Sequence, residues 1–183
     1  AESADNWQYV NRSVSPFEQL KDNEEVVSKR DAFSKTFVNG SGGYTSVISA
    51  VPVHYEKNGQ FLIIDPRILH NPSSDFSLAN TANIFESYFG TESNTGVKNK
   101  SAEGELIEFL NTQMYWEAGG QQKLVRNSSN VQAVSQGDRL YYKNIYGNIS
   151  AEFTVLPAKR KLNYIIPNKN SLGNIPDSAD FLV

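Results

Sequence analysis

Residues 44–65 read YTSVISAVPVHYEKNGQFLIID, and the fold assignment starts from this stretch. Tyr44 to Lys57 is rich in β-branched and aromatic side chains, which suit a pleated, half-buried surface. Asn58-Gly59 follows, and Gln60 to Asp65 resumes the same composition. Asn-Gly tolerates the positive φ that a two-residue hairpin turn demands at both central positions. The spacing predicts a β-hairpin over about 44–65. Both arms carry apolar residues on both faces, as a strand pair inside a sheet does. Pro52 has no N–H to give a ladder and marks a bulge or an unpaired side.

A second hairpin is predicted over about 139–156, where Arg139–Tyr146 and Ile149–Leu156 flank Gly147-Asn148. Lys161–Ile166 makes a further arm after a turn at Pro157, and Lys123–Arg126 and Val131–Val134 read as short strands. Elsewhere the apolar spacing is helical. Ser15-Pro16 offers a cap and a first-turn proline, and Phe17, Leu20, Val27, Phe33 and Phe37 approximate one face, predicting a helix over 16–36. The turn-forming run Asn39-Gly40-Ser41-Gly42-Gly43 ends it. Leu78, Ala82, Phe85 and Phe89 predict a second helix over 77–89, stopped by Gly90. Ser101 caps a third over 101–118, with Glu103 and Glu105 in its first turn and Leu106, Leu110 and Met114 along one side. The expected class is therefore α+β with a largely antiparallel sheet. Residues 15–166 are expected to form one domain, after a lead-in over 1–14 and before an Asn-, Ser-, Gly- and Pro-rich surface tail over 167–183.

Composition narrows the function classes. Hydrophobic residues make up 39% of the 183 and charged residues 20%, enough to build a core. The formal charge of −3 leaves no basic field to neutralise phosphates, so nucleic acid is not an expected partner. The one compact basic run, Lys159-Arg160-Lys161, reads as a solvated turn. The longest apolar run, Phe61-Leu62-Ile63-Ile64, falls far short of the about 20 residues of a membrane-spanning helix. There is no cysteine, which removes disulfides, thiolate catalysis and cysteine-bound zinc. The sole methionine is Met114, and the opening Ala1-Glu2-Ser3-Ala4-Asp5-Asn6 resembles a mature terminus beyond a small-residue cleavage site. We expect an exported bacterial protein, periplasmic or extracellular.

No metal or cofactor is expected. His54 and His70 are the only histidines and lack ligand spacing, and Gly40–Gly43 lacks the lysine and following helix of a phosphate loop. Glu103-Gly104-Glu105 has the spacing of a two-carboxylate catalytic motif, but acidic residues are ordinary at a helix start.

Two groups of residues remain as candidates. In the first hairpin a two-residue turn sets His54 opposite Ile63 and Pro52 opposite Asp65. His54 and Asp65 then share a face as diagonal neighbours, with Cα atoms roughly 7–8 Å apart. A carboxylate there would fix the imidazole tautomer and favour a proton-accepting nitrogen, making the pair a candidate catalytic dyad. Over about 44–72, the histidine strand followed by Ile63-Ile64-Asp65-Pro66 resembles transglutaminase-like and protein-glutaminase-like enzymes. The resemblance implies a hydrolase or amidotransferase. It also implies an upstream helical cysteine, which this chain lacks, so a serine such as Ser41 or Ser46 would have to substitute. The second group is the tyrosines: Tyr141, Tyr142 and Tyr146 on the second hairpin and Tyr164 on the next strand. Tyr142, Asn144 and Tyr146 are predicted on one face, Tyr141, Lys143 and Ile145 on the other. Exposed tyrosines suit a binding surface for a protein or a cell-envelope component. The leading expectation is a non-enzymatic binding or assembly domain acting through this aromatic β-face, and the alternative is the His54/Asp65 hydrolase.

Overall fold

The structure is a computed structural model that describes residue 20 and residues 23–182. The predicted lead-in over 1–14 and the Ser15-Pro16 helix start lie outside the described residues. Strand accounts for 51% of the structure and helix for 6%, with no helix of seven or more residues among the described residues. The protein is mostly β, and the expected α+β class is wrong. The described chain gathers into two compact units, one ending at Leu62 and the other beginning at Ile63.

The first unit is built from hairpins. A 3-10 turn at Val27–Lys29 precedes β1 (Ser34–Val38), which pairs antiparallel with β2 (Tyr44–Ile48). The Asn39–Gly43 run makes the connection. Asn39 Oδ1 accepts from the backbone N–H groups of Ser41 and Gly43, and Gly42 sits at φ 80°. The predicted arm Tyr44–Lys57 is thus divided. Its first part pairs back with β1, and the chain bends through Pro52 into β3 (His54–Lys57), which pairs with β4 (Gln60–Ile63). Asn58 at φ 53° and Gly59 at φ 74° form the predicted turn. The predicted helix over 16–36 is replaced, within the described residues, by the short 3-10 turn and by β1. Its apolar spacing drifted, and Thr36, Phe37 and Val38 favour a pleated surface that β2 completes.

The second unit opens with a meander: β5 (Leu69–His70), β6 (Leu78–Asn80), β7 (Glu86–Phe89), β8 (Val97–Ser101) and β9 (Gly104–Glu108), paired in that order. β10 (Gln113–Ala118) lies between β11 (Gln121–Asn127) and β16 (Ala179–Leu182). β12 (Ala133–Gln136), β13 (Arg139–Tyr146), β14 (Ile149–Leu156) and β15 (Lys159–Ile165) form an antiparallel four-stranded sheet. The predicted surface tail therefore contributes a strand, and Leu172 O accepts from Trp116 Nε1 at 3.2 Å.

The other two predicted helices are corrected here. In 77–89 the i, i+4 spacing imitated a helical stripe. The structure instead folds the segment so that Leu78 lies directly opposite Phe89 across β6 and β7. In 101–118, Ser101 faces Gly104 in a tight β8–β9 turn, and Leu106 is 61% exposed while Leu110 and Met114 are buried. A single helical face would have buried all three alike.

The five- and four-stranded sheets pack face to face. Phe89 of β7 meets Phe153 of β14 edge-on, with ring centroids 5.6 Å apart, and Tyr142 meets Phe153 at 6.3 Å. Val97, Leu140, Ile145, Ile149 and Val155 complete a core without solvent exposure. Polar clamps tie the layers: Asn83 Nδ2 donates to Leu156 O, and Asn83 Oδ1 accepts from Ala158 N, each at 2.9 Å. Gly96 has a strict backbone reason. It sits at φ 83°, and a Cβ there would fall 2.4 Å from Glu108 O.

Candidate functional site

His54 begins β3 in the first unit and has no exposure. Its Nδ1 lies 2.7 Å from Asp31 O. A carbonyl only accepts, so Nδ1 carries the proton in that bond. Asp31 is itself positioned by accepting from Phe33 N, Ser34 N and Ser34 Oγ. On the other side of the ring, His54 Nε2 is 3.6 Å from Glu25 Oε1. Glu25 is held bidentately by Arg30, with both contacts at 2.8 Å. The Arg30 hydrogen bonds hold the Glu25 carboxyl below its usual range, against the opposing effect of burial. Arg30 Nη1 donates on to Phe61 O at 3.3 Å.

Asp65 belongs to the second unit, beyond the end of β4. Its carboxylate accepts from Arg67 Nε at 2.8 and 2.9 Å and from Arg67 Nη2. That hydrogen bonding holds the Asp65 carboxyl low. His54 thus bonds Asp31 O and has Glu25 nearby, whereas the Asp65 carboxylate bonds Arg67. Ser41 Oγ donates to Asn39 Oδ1, and Ser46 Oγ pairs with Thr36 Oγ1, each at 2.8 Å. Among the described residues, no three histidine, aspartate or glutamate side chains gather as a metal site.

The tyrosines divide between core and surface. Tyr142 is fully buried and donates to Gly90 O at 2.8 Å, and burial pushes its phenol up. Tyr146 is 3% exposed and bonds Thr112 Oγ1. Neither can face a partner, which corrects the expected binding surface at both positions. The reason is that the face they share is the one packed into the core, while a register shift lies between them, where Asn144 adopts φ 61°. This bulge breaks the strict alternation, leaving Asn144 exposed and turning Ile145 inward beside Tyr146. Tyr141 is half-buried, and Tyr164 stays 43% exposed with its ring edge-on to Tyr146 at 5.9 Å.

Tyr164 belongs to a larger surface feature of the second unit. β9 and β15 are the outermost strands of their sheets among the described residues. Arg160 on β15 reaches across to Glu108 on β9 and to Asn99 on β8, and its guanidinium stacks on Phe153 at 5.3 Å. These bonds bring both free edges to one side of the unit. A cleft of about 540 Å³ lies there, lined by Phe85, Asn99, Glu105, Leu106, Glu108 and Arg160. Leu106, Ile107 and Phe109 on one edge, and Leu162, Tyr164 and Ile165 on the other, are all at least 41% exposed.

Sequence reasoning assigned Arg160 to a solvated turn and left the paired edges unseen. The alternation of Arg160, Leu162 and Tyr164 was the available signal. It places them opposite Val155, Phe153 and Ala151, on the core side of β14. Glu103-Gly104-Glu105, read as a helix start, is the β8–β9 turn and the beginning of β9, and Glu105 approaches Lys98 Nζ at 3.9 Å. Comparisons with protein-family models, with curated proteins and with solved structures find no match to this chain.

Proposed function

We propose that this chain is a non-catalytic, exported binding module that takes up an extended polypeptide segment along the free edge of β15. One observation carries the reading. β15 runs for seven residues, pairs on one side only among the described residues, and displays Leu162, Tyr164 and Ile165 to solvent. An unpaired edge offers a row of N–H and C=O groups to a second strand, and neighbouring side chains then set the specificity. Natural sheets usually blunt such edges with lysine, proline or a bulge. Here Lys159 and Lys161 occupy only the start of the strand, and the pairing with β14 is regular throughout. Apolar side chains fill the rest. The basic start favours a segment that is acidic at the facing end.

The aromatic contribution expected from Tyr141, Tyr142, Tyr146 and Tyr164 thus rests on Tyr164, with aliphatic neighbours in place of the buried pair. An exported setting places no redox demand on a cysteine-free chain. The hydrolase alternative lacks comparable support, because His54 is fully buried and bonded within its own unit.

The test is to select peptides on the full chain from a random displayed library and map them by amide hydrogen exchange. Binding at the edge slows exchange at alternate amides of 159–165, and Leu162→Lys with Ile165→Lys abolishes it. Failure to select any peptide, or protection confined to another surface, overturns the proposal.

A further inference from the structure

The second free edge of the same unit suggests who supplies the added strand. We infer that the occupant is a second copy of this chain, whose β9 pairs with β15 while its own β15 pairs with β9 of the first. This inference rests on the edge-addition reading and names its partner.

Three observations support it. The edges are opposite in charge. β9 and the turn before it carry Glu103, Glu105 and Glu108, whereas β15 begins Lys159-Arg160-Lys161, with Lys159 and Lys161 exposed. Within each copy Glu108 is already matched to Arg160, whereas Glu105 has one long contact, to Lys98 at 3.9 Å. The edges are alike in apolar character, with Leu106 and Ile107 available to Leu162, Tyr164 and Ile165. They also lie on one side, because Arg160 bridges β15 to β8 and β9.

The last point fixes the symmetry. A two-fold axis running along the strands at that side exchanges the two sheet layers. It sets β9 of each copy beside β15 of the other, so both contacts form at once and the assembly closes as a dimer. By strand alternation Glu105 and Ile107 share one face of β9, across from Lys100 and Lys98 of β8, and Leu106 and Glu108 share the other with Asn99. Lys159, Lys161, Asn163 and Ile165 share the outer face of β15. In the fused sheet the outer face therefore sets Glu105 among the partner's lysines, and each such contact occurs twice.

Charge reversal decides the matter on the full chain. Sedimentation across micromolar to submillimolar concentrations should show a monomer–dimer equilibrium. Glu105→Lys alone and Lys161→Glu alone should each weaken it about tenfold or more, because each sets like charges at two symmetry-related contacts. Mixing the two variants should restore the dimer, since every contact is then complementary again. Circular dichroism checks that both exposed substitutions leave the fold intact. A wild-type chain that stays monomeric overturns the inference, as does a dimer indifferent to either reversal, or a mixture without recovery. If a monomeric chain still takes selected peptides at β15, self-pairing falls and edge addition stands. If it takes none, both fall.

Discussion

The two units solve the same problem with different materials. In the second, Phe89, Tyr142, Phe153 and the aliphatic residues around them are sealed between two sheets. In the first, the described residues bury Phe37 alone among large apolar side chains, while Tyr44, Ile48 and Val51 are at least 51% exposed. What the first unit buries instead is polar: Ser34, Thr36 and His54, with the Glu25–Arg30 pair beside them. Apolar contact is non-directional and tolerates imperfect geometry, whereas a buried polar group is costly unless each partner is in place. The first unit should therefore depend on individual bonds and on pH, and the second on volume.

Truncation should show the difference most strongly in the second unit. Phe153→Ala removes the ring that meets Phe89, Tyr142 and the Arg160 guanidinium, and should cost about 4 kcal/mol in urea unfolding. A cost below that of any single polar change in the first unit would undo the contrast. Arg30→Leu comes next, at about 2–3 kcal/mol, because it leaves the Glu25 carboxylate and Phe61 O without their donor. Amide exchange across β1–β4 reads this loss locally, and unchanged exchange there would show that the ion pair is dispensable. Tyr142→Phe keeps the packing and strands the Gly90 carbonyl, for about 1 kcal/mol in the same unfolding assay.

The smallest effect is acid sensitivity. The Glu25 carboxyl is held below its ordinary range, first by the Arg30 hydrogen bonds. A depressed carboxyl stabilises the fold above its unfolded pKa and loses that contribution as pH falls through the folded one. Amides of β1–β4 should thus lose protection on acidification below about pH 4.5, and Arg30→Leu should flatten that dependence. A profile that is equally steep in the variant would assign the acid response to another carboxyl, with Asp31 the nearest candidate.

How much of this was legible depends on how local each feature is. Asn58-Gly59 and Gly147-Asn148 announced their turns because positive φ is a property of those residues, and Asn58, Gly59 and Gly147 all adopt it. Leu78, Ala82, Phe85 and Phe89 carried no such information. Their spacing fits one helical face and equally fits two short strands folded so that the ends of the series meet, as Leu78 and Phe89 do. His54 was rightly singled out as unusual, but the groups that engage it, Glu25 and the Asp31 carbonyl, lie 29 and 23 positions away in sequence. At Asn144 and Ile145 strict alternation failed at a bulge, which no single residue type declares, and that the face of Tyr142 and Tyr146 is the core side depended on the packed sheet.

By itself, then, the sequence determined the turns at Asn58-Gly59 and Gly147-Asn148, that its described sheets are antiparallel, and that no thiol chemistry is possible. Each follows from a residue's own backbone or side-chain chemistry. Only the tertiary structure decided that 77–89 and 101–118 fold as strands, which tyrosines are core, and that the edges of β9 and β15 lie on one side. Those outcomes depend on which distant strand supplies the other half of each hydrogen bond and each apolar contact, and one-dimensional spacing does not encode that choice.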